Sequence, residues 1–385
     1  MRPTRLVIGI LPLFVAGLSA QEGWRGSLDG TVFLQYARTF DTRGAYQFGS
    51  VNRVMFEARG PWAGGTLRAS FMGSAEPLTL GDRGAPQLLQ VAFTSDGKTI
   101  TDHAHPSPWI MELAGSYERM ISSATVSLYA AAIGEPALGP PVYLHRASAE
   151  ANPVVPLAHH AQDETHSSFG VVTLGVHWRG IRLETSAFND RLPVEPSTVF
   201  SYRGARLDAY SARATVAAGG AWSVFGYYGY LPATSGGHVH DSQHRLGTGA
   251  MYTGSTWALT LVYGVNDPLG GARLQQTLLA EVERHWSDRD VAFARGEFVQ
   301  RTAQELSLVG SVNAIQDVSA VQVGYGRTVA RRAGIAARLG ASGTINIVPP
   351  QLEAFYGGRT PMAVAAYLQL GRVTSRGMPS HAGHH

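Results

Sequence analysis

Apolar and polar side chains alternate with a period of two residues along most of this chain. In TWALTLVY, the residues Trp257, Leu259, Leu261 and Tyr263 share one face, and small or polar residues occupy the other. The segments GTLRASFMG and DVSAVQVGYG repeat the pattern. Successive side chains of a strand point to opposite faces, so each segment is predicted to be a strand that is apolar on one side. Such strands build either a soluble β-sandwich or the wall of a membrane barrel.

The lengths of the connections favour the barrel. Every second connection is very short, as in WRG and GST, whereas the others are longer and carry most of the prolines. An outer-membrane barrel alternates in this way, with tight periplasmic turns and long external loops, and a sandwich has no reason to do so. We therefore predict an all-β fold, a transmembrane antiparallel β-barrel of about 16 strands. The predicted strands lie near residues 24–39, 49–59, 63–73, 109–119, 123–133, 169–179, 180–190, 204–218, 220–231, 243–253, 255–264, 273–285, 289–301, 316–330, 332–344 and 362–373.

Two segments leave the strand number open by about two, because helix formers compete with the strand pattern there. The segment 274–286 places Leu274, Leu278 and Val282 at helical spacing, and residues near 302–315 suit a short helix. The alternative for 274–286 is a strand that turns its acidic residues toward a lumen.

The tryptophans support the barrel independently. An indole prefers the membrane–water boundary, so tryptophans at one end of successive strands indicate an aromatic girdle, whereas core tryptophans would be scattered. Five of the seven tryptophans lie at or near the predicted short turns: Trp62, Trp178, Trp222, Trp257 and Trp286.

The first twenty residues have the features of a secretory signal peptide. A basic start, MRPTR, precedes an apolar run and the small-residue site LSA. We therefore expect residues 1–20 to be a signal peptide, residues 21–373 to form the barrel, and residues 374–385 to form a histidine-rich periplasmic tail. No later apolar run is long enough for a spanning helix. The chain has no cysteine, which excludes disulfides and thiolate metal sites.

Charged residues make up only 15 % of the chain, and the net charge of +3 is too small to indicate nucleic-acid binding. Charges on the lipid face are costly, so those on the strands are predicted to face the lumen. They form either a cross-strand ion-pair lattice or a polar path for solutes, and the loops after the third and fifth strands are long enough to fold inside. The predicted lumen charges are Arg53, Glu57, Arg68, Glu112, Arg182, Glu184, Arg213, Glu281, Glu283, Arg295 and Glu297.

Histidines are concentrated in three long external connections. Neutral imidazoles together with carboxylates suit zinc, copper or nickel, although the spacings match no standard metal motif. The alternative is that these histidines form hydrogen bonds within packed loops and bind no metal. The candidate metal ligands are His103, His105, His145, His159, His160, Asp163, His166, His238, His240 and His244.

We expect no enzymatic activity and no catalytic residues. No nucleophile motif such as G-x-S-x-G occurs in the chain. A barrel hydrolase that uses His166 with Ser167 or Ser168 is a third, weaker hypothesis.

The region GEPALGP…HR-S…NP…HH--D-TH…GV-T-G resembles an uncharacterised family of bacterial outer-membrane proteins over about 90 residues. An upstream element corresponds to residues 102–108 and Met111–Ala114; His105 and Pro106 match the family pattern there, whereas His103, Ser107 and Pro108 depart from it. The resemblance implies an association with metal handling and brings no known activity. Its other matching positions are Gly134–Pro140, His145, Arg146, Ser148, Asn152, Pro153, His159, His160, Asp163, Thr165, His166, Gly170, Val171, Thr173 and Gly175.

Together these features predict an outer-membrane channel or porin-like protein whose histidine-bearing loops bind a zinc or copper ion and constrict the pore. The alternative is a non-conducting metal-binding or structural protein of the outer membrane. The expected partners are outer-membrane lipid and small solutes or metal ions. The sequence does not determine the oligomeric state.

Overall fold

A computed structural model describes residues 23–95, 98–190, 206–233, 241–271, 273–309 and 314–372. Sixteen antiparallel strands form a closed barrel. They are β1 Arg25–Phe40, β2 Tyr46–Trp62, β3 Gly65–Gly73, β4 Ile110–Ile121, β5 Ala124–Gly134, β6 Ser168–Trp178, β7 Ile181–Asn189, β8 Ala209–Ala217, β9 Trp222–Leu231, β10 Gln243–Thr253, β11 Trp257–Pro268, β12 Gln275–His285, β13 Asp290–Thr302, β14 Ile315–Arg332, β15 Ile335–Ile347 and β16 Met362–Arg372.

Each strand pairs with its sequence neighbour, and β1 pairs with β16 to close the barrel. The predicted fold class is therefore confirmed, including the number of strands. The helical alternative for residues 274–286 is wrong, because β12 alternates its side chains between two environments. Leu278 is exposed on the outer surface, whereas Glu281 and Glu283 are buried inside.

The outer surface of the barrel is apolar, and the interior contains the charges. Leu174 and Leu183 are 56 % and 54 % exposed, as expected for side chains that face lipid. Trp178 and Trp222 lie at strand ends beside short turns and are also exposed. The membrane supplies the apolar solvent, so burial of apolar surface against other protein is not required on this face.

Two long connections occupy the barrel interior. Residues 74–109, which we call the cap segment, link β3 to β4 and include the helix α1 Glu76–Thr79 and four short strands. Residues 135–167, which we call the plug segment, link β5 to β6 and include the helix α2 His159–Gln162. The short strands of the cap segment are Ala85–Pro86 paired with His103–Ala104, and Phe93–Ser95 paired with Lys98–Ile100.

The remaining helical elements are short. The plug segment also contains the 3₁₀ turns Tyr143–His145 and Glu164–Ser167, and the β15–β16 connection contains the 3₁₀ turn Pro350–Leu352 and the helix α3 Glu353–Tyr356. None of the helices in the described ranges is long and apolar enough to cross a membrane. The proposed helix near 302–315 is replaced by turns over residues 303–307.

Several predicted features lie outside the described residues. They are the signal peptide at residues 1–20, the tail at residues 374–385, and the candidate ligands His238 and His240.

Candidate metal centre

The plug segment is hydrogen-bonded to much of the barrel wall. It forms hydrogen bonds with inward-facing residues on eight strands, which are β7, β8, β10–β14 and β16. These hydrogen bonds involve both backbone and side-chain atoms. The wall partners are Ser186, Arg213, Arg245, Thr260, Thr277, Glu281, Glu283, Arg295, Glu297, Arg301, Gln322, Tyr367 and Gln369. The plug segment therefore spans the lumen from wall to wall.

Apolar packing reinforces these bonds. Leu138 and Leu157 of the plug segment belong to one buried cluster with wall residues such as Phe225, Val262 and Leu279. An inward-facing wall that contributes large apolar side chains is typical of a packed interior, because a water-filled channel would leave these side chains exposed to solvent.

The GEPALGP turn has a physical requirement at one glycine. Gly139 has a φ of +81°, and a Cβ atom added there would lie 2.1 Å from the Gln162 carbonyl oxygen. Only glycine combines this backbone conformation with such a close approach. This close approach lets the beginning of the plug segment lie against α2, which carries two of the candidate metal ligands.

A buried ionic network lies beneath α2. Arg146 Nη1 is 2.7 Å from Asp163 Oδ2, and its Nε is 2.8 Å from Glu281 Oε2 on β12. Arg295 Nε on β13 is 2.9 Å from Glu281 Oε1. The two guanidinium groups and two carboxylates balance in charge, and this network joins the plug segment to the wall.

Replacement of Arg146 with methionine is expected to destabilise the folded barrel by about 3–5 kcal/mol, because it leaves the buried carboxylates of Asp163 and Glu281 under-compensated. The free energy of unfolding would be measured by urea titration in detergent micelles. The control is Arg119→Met at an exposed strand end, which should change this value by less than about 0.5 kcal/mol. Equal stability of the two variants would show that the network contributes nothing to plug attachment.

The cap segment is held by two buried carboxylates. Glu76 accepts hydrogen bonds from the backbone N–H groups of Asn52 and Ser107 at 3.1 and 2.6 Å. Burial raises the pKa of Glu76 to about 7, although these hydrogen bonds oppose the shift. Asp102 Oδ2 lies 2.7 Å from Arg43 Nε in the β1–β2 connection. The cap is thus fixed at the outer end of the barrel.

The cap and plug segments meet at a group of imidazoles. His105 of the cap and His159 and His160 of α2 each offer a ring nitrogen, and these three atoms lie within 4.8 Å of one another. Their ring centroids are 5.0 to 6.5 Å apart. The His166 ring is 5.2 Å from that of His159. A small cavity of about 30 Å³ borders His105 and is also lined by Glu76.

The same ring atom of each histidine faces an acceptor. Nδ1 of His159 lies 2.5 Å from Asp163 Oδ1, and Nδ1 of His160 lies 3.6 Å from Glu164 Oε2. Nδ1 of His105 lies 3.0 Å from the carbonyl oxygen of its neighbour, Pro106. A neutral ring that donates from Nδ1 has an unprotonated Nε2, which is the arrangement that metal-binding histidines usually show.

Beside the centre, electrostatics favour a neutral ring at His166 and an ionised carboxylate at Asp163. Burial, together with the neighbouring His159, lowers the pKa of His166 to about 4. Burial opposes ionisation of Asp163, but the contacts with His159 and Arg146 outweigh it and hold the pKa of Asp163 below its usual range. A nearby carboxylate also attracts a metal ion, and Asp163 supplies this carboxylate beside the His159 ring.

The other described candidate ligands lie elsewhere. His103 Nδ1 contacts the Thr101 carbonyl oxygen at 2.8 Å, and His145 ends a 3₁₀ turn of the plug segment. His244 lies on the outward face of β10, where its ring packs against Tyr228 and Tyr230. None of the three belongs to the group formed by His105, His159 and His160.

The predicted lumen charges all occupy inward-facing positions in the strand register. Arg53, Arg68 and Arg182 are half-buried, and the other eight are buried. Several form cross-strand pairs, including Glu184 with Arg213 at 3.2 Å. The ion-pair lattice is therefore present, and it continues into the plug segment through Glu281 and Arg295.

Sequence reasoning missed two residues that support this centre. Arg245 is buried and its Nη2 lies 2.6 Å from Glu164 Oε1. The alternation of β10 could have revealed it, since Arg245 shares the inward face with Gln243. The anchoring role of Arg146 carried no local signal, because its partner Glu281 is 135 residues away.

The geometry does not favour Ser168 as the nucleophile of the hydrolase hypothesis. Ser168 Oγ donates to the Thr165 carbonyl oxygen at 2.8 Å, and His166 Nδ1 lies 3.1 Å from the Asp163 carbonyl oxygen. This hydrogen bond directs the Ser168 hydroxyl to the backbone, which is not the serine–imidazole arrangement that activates a nucleophile.

The fold is that of known porins. The anion-selective porin from Comamonas acidovorans is 11 % identical, with a TM-score of 0.56, and the match covers 90 % of this chain and 99 % of that one. OmpF of Salmonella typhi, solved in complex with daunomycin, is 10 % identical over 91 % and 98 % of the two chains, with a TM-score of 0.57. OprB of Pseudomonas putida is 11 % identical over 91 % and 94 %, with a TM-score of 0.51. No protein-family model matches the chain, and no curated protein matches it in sequence.

These likenesses define the class of protein: a 16-stranded β-barrel of the porin type that resides in the bacterial outer membrane. They confirm the outer-membrane barrel implied by the sequence resemblance. The association of that resemblance with metal handling stays a prediction.

Proposed function

We propose that this protein is a porin-type outer-membrane channel that is closed to general solutes and binds a divalent transition-metal ion where the cap and plug segments meet. The observation that carries the proposal is the group of three ring nitrogens, from His105, His159 and His160, within 4.8 Å of one another. The protein acts without catalysis.

The closed state follows from the way the lumen is filled. A sixteen-stranded barrel is wide enough for an aqueous channel unless a loop folds inside. Here the plug segment bonds to the wall on opposite sides, for example to Arg213 of β8 and to Tyr367 of β16. An ordinary diffusion pore keeps a continuous aqueous path, which such wall-to-wall packing opposes.

The ligand set indicates the class of metal. Three imidazoles suit zinc, copper or nickel and are poor ligands for calcium or magnesium, which prefer oxygen. Zinc–nitrogen distances of about 2.0–2.1 Å place tetrahedral ligand atoms roughly 3.4 Å apart, so modest ring rotations are sufficient. Asp163 would orient the ring of His159 through Nδ1.

The test is a zinc titration of the full-length protein, folded in detergent and first treated with a chelator. We expect one zinc ion per chain by isothermal titration calorimetry and by elemental analysis after dialysis. We also expect no porin-scale current steps in planar bilayers, with or without zinc. Loss of all metal on dialysis would overturn the metal site, and sustained large current steps from the unmodified protein would overturn the closed channel.

The closest rival is a structural protein that binds the metal and never conducts. It shares the titration result, and the two differ only in whether the intact protein ever conducts, because deletion of the plug segment would open the barrel in either case.

A further inference from the structure

A concentrated group of arginines lies at the short-turn end of β11–β14, outside the metal centre and the lumen. We call it the arginine–tryptophan patch. Its members are Trp257, Arg284, Trp286, Arg289, Arg327, Arg331 and Arg332. All are exposed, and they lie on neighbouring strands or on the turns that join them.

The centre of the patch is Arg284. It pairs in register with Trp257 on β11 and points outward, away from the lumen face that carries Glu283. Its guanidinium carbon lies 4.7 Å from the ring centre of Trp257 and 5.5 Å from that of Trp286. Two indoles thus hold one cation at the level where tryptophan marks the membrane boundary.

The rest of the patch is continuous with this centre. The backbone N–H of Thr328 donates to the Arg289 carbonyl oxygen at 2.7 Å, and Arg331 donates to the Asp288 carbonyl oxygen. The β12–β13 turn and the end of β14 therefore lie side by side. Their arginines present one surface that extends across several strands.

The patch is strongly basic. It contains five arginines, and the acidic residues beside them are Asp288 and Asp290. Within the described ranges, Arg327 is the only one of the five that forms an ion pair, at 2.9 Å from Asp290. The short turns lie on the periplasmic side of such barrels, so the patch faces the headgroups of the periplasmic leaflet. Exposed apolar residues beside it, including Val329 and Leu339, provide the contact surface for acyl chains.

We propose that the arginine–tryptophan patch binds the headgroups of anionic phospholipids in the periplasmic leaflet. Arginine forms paired hydrogen bonds with phosphate oxygens, and a basic cluster at the membrane surface attracts anionic lipid. Indoles anchor the same boundary through the glycerol region. This lipid site is independent of the metal centre and of the state of the channel.

The experiment measures lipid retention by native mass spectrometry. The delipidated full-length protein would be titrated in detergent with dioleoylphosphatidylglycerol or dioleoylphosphatidylcholine. We expect phosphatidylglycerol to be retained at least about tenfold more tightly, because only this headgroup carries a net negative charge. We also expect the preference to weaken as salt concentration rises.

Two double variants locate the site. Arg284→Gln/Arg332→Gln is expected to weaken phosphatidylglycerol retention by about tenfold or more. The matched control is Arg119→Gln/Arg179→Gln on the opposite short turns, where Arg179 also lies over an indole, 4.8 Å from the ring centre of Trp178. The control should retain the lipid.

Heat-modifiable migration on gels would establish that each variant is folded. Equal retention of the two lipids, equal losses in the two double variants, or binding of acidic muropeptides without any lipid preference would each overturn the proposal.

Discussion

Removal of the plug segment is expected to convert a closed barrel into an open pore. Gly134 and Ser168 are register partners on β5 and β6, so a short glycine–serine turn can replace residues 136–166 without strain in the wall. The remaining barrel of sixteen strands has the width of an aqueous channel. We expect single-channel conductance in planar bilayers to rise by about tenfold or more relative to the full-length protein.

The wall should tolerate this deletion. Glu281 keeps its pairing with Arg295, and Glu184 keeps its pairing with Arg213, because both pairs lie within the barrel itself. The newly wetted apolar residues, such as Phe225 and Val262, will lower stability without breaking the strand ladder. Heat-modifiable gel migration would verify folding before each recording.

A tether provides the matched control. The protein has no cysteine, so Ser148→Cys/Thr260→Cys introduces a single pair at positions whose hydroxyl oxygens lie 2.7 Å apart. The oxidised variant should stay closed under conditions that loosen the plug segment, and reduction should remove the difference. A folded deletion variant that stays closed would show that the cap segment alone blocks the barrel.

Substitution of the central histidine is expected to abolish tight metal binding. His159→Ala removes one of three imidazoles and leaves Asp163 without its ring partner, so we expect the zinc dissociation constant to rise by about 100-fold or more. The measurement is a calorimetric titration, supported by the visible spectrum of the cobalt-substituted protein, whose intensity reports tetrahedral coordination.

Two further variants give this test its controls. His244→Ala removes a histidine that packs against Tyr228 and Tyr230 on the outer face, and zinc affinity should be unchanged. His105→Ala removes the ligand of the cap segment and should weaken binding as His159→Ala does. If His105→Ala had no effect, the ion would be held by the plug segment alone, and the cap–plug site would be wrong.

The barrel itself was predictable from local sequence. A strand repeats every two residues, so the apolar face of TWALTLVY and the acidic face of β12 could be assigned without knowledge of any distant residue. The short turns are also local features, and tryptophans such as Trp178 and Trp222 mark the membrane boundary near them. These signals together were sufficient for the fold class, for a strand number of sixteen to within about two, and for the inward placement of the charges.

The histidine centre was only partly predictable. The sequence indicates His159, His160 and Asp163 as neighbours, because they lie within five consecutive residues. It does not indicate that His105, more than fifty positions earlier, joins them and that His103 and His244 do not. Whether His105 reaches the other two histidines depends on the position of the cap segment. Glu76 and Asp102 set that position through their contacts with Asn52 and Arg43 of the β1–β2 hairpin.

The sequence by itself therefore determined the membrane-facing half of this protein: strands, turns, lipid face and lumen face, all set by periodicity over a few residues. Only the tertiary structure decided that residues 135–167 fill the lumen and carry the histidines inside the barrel. The physical reason is that this state depends on pairings such as Arg146 with Glu281 and Asn152 with Gln322, between residues more than a hundred positions apart. No local pattern encodes which distant partner satisfies a buried charge.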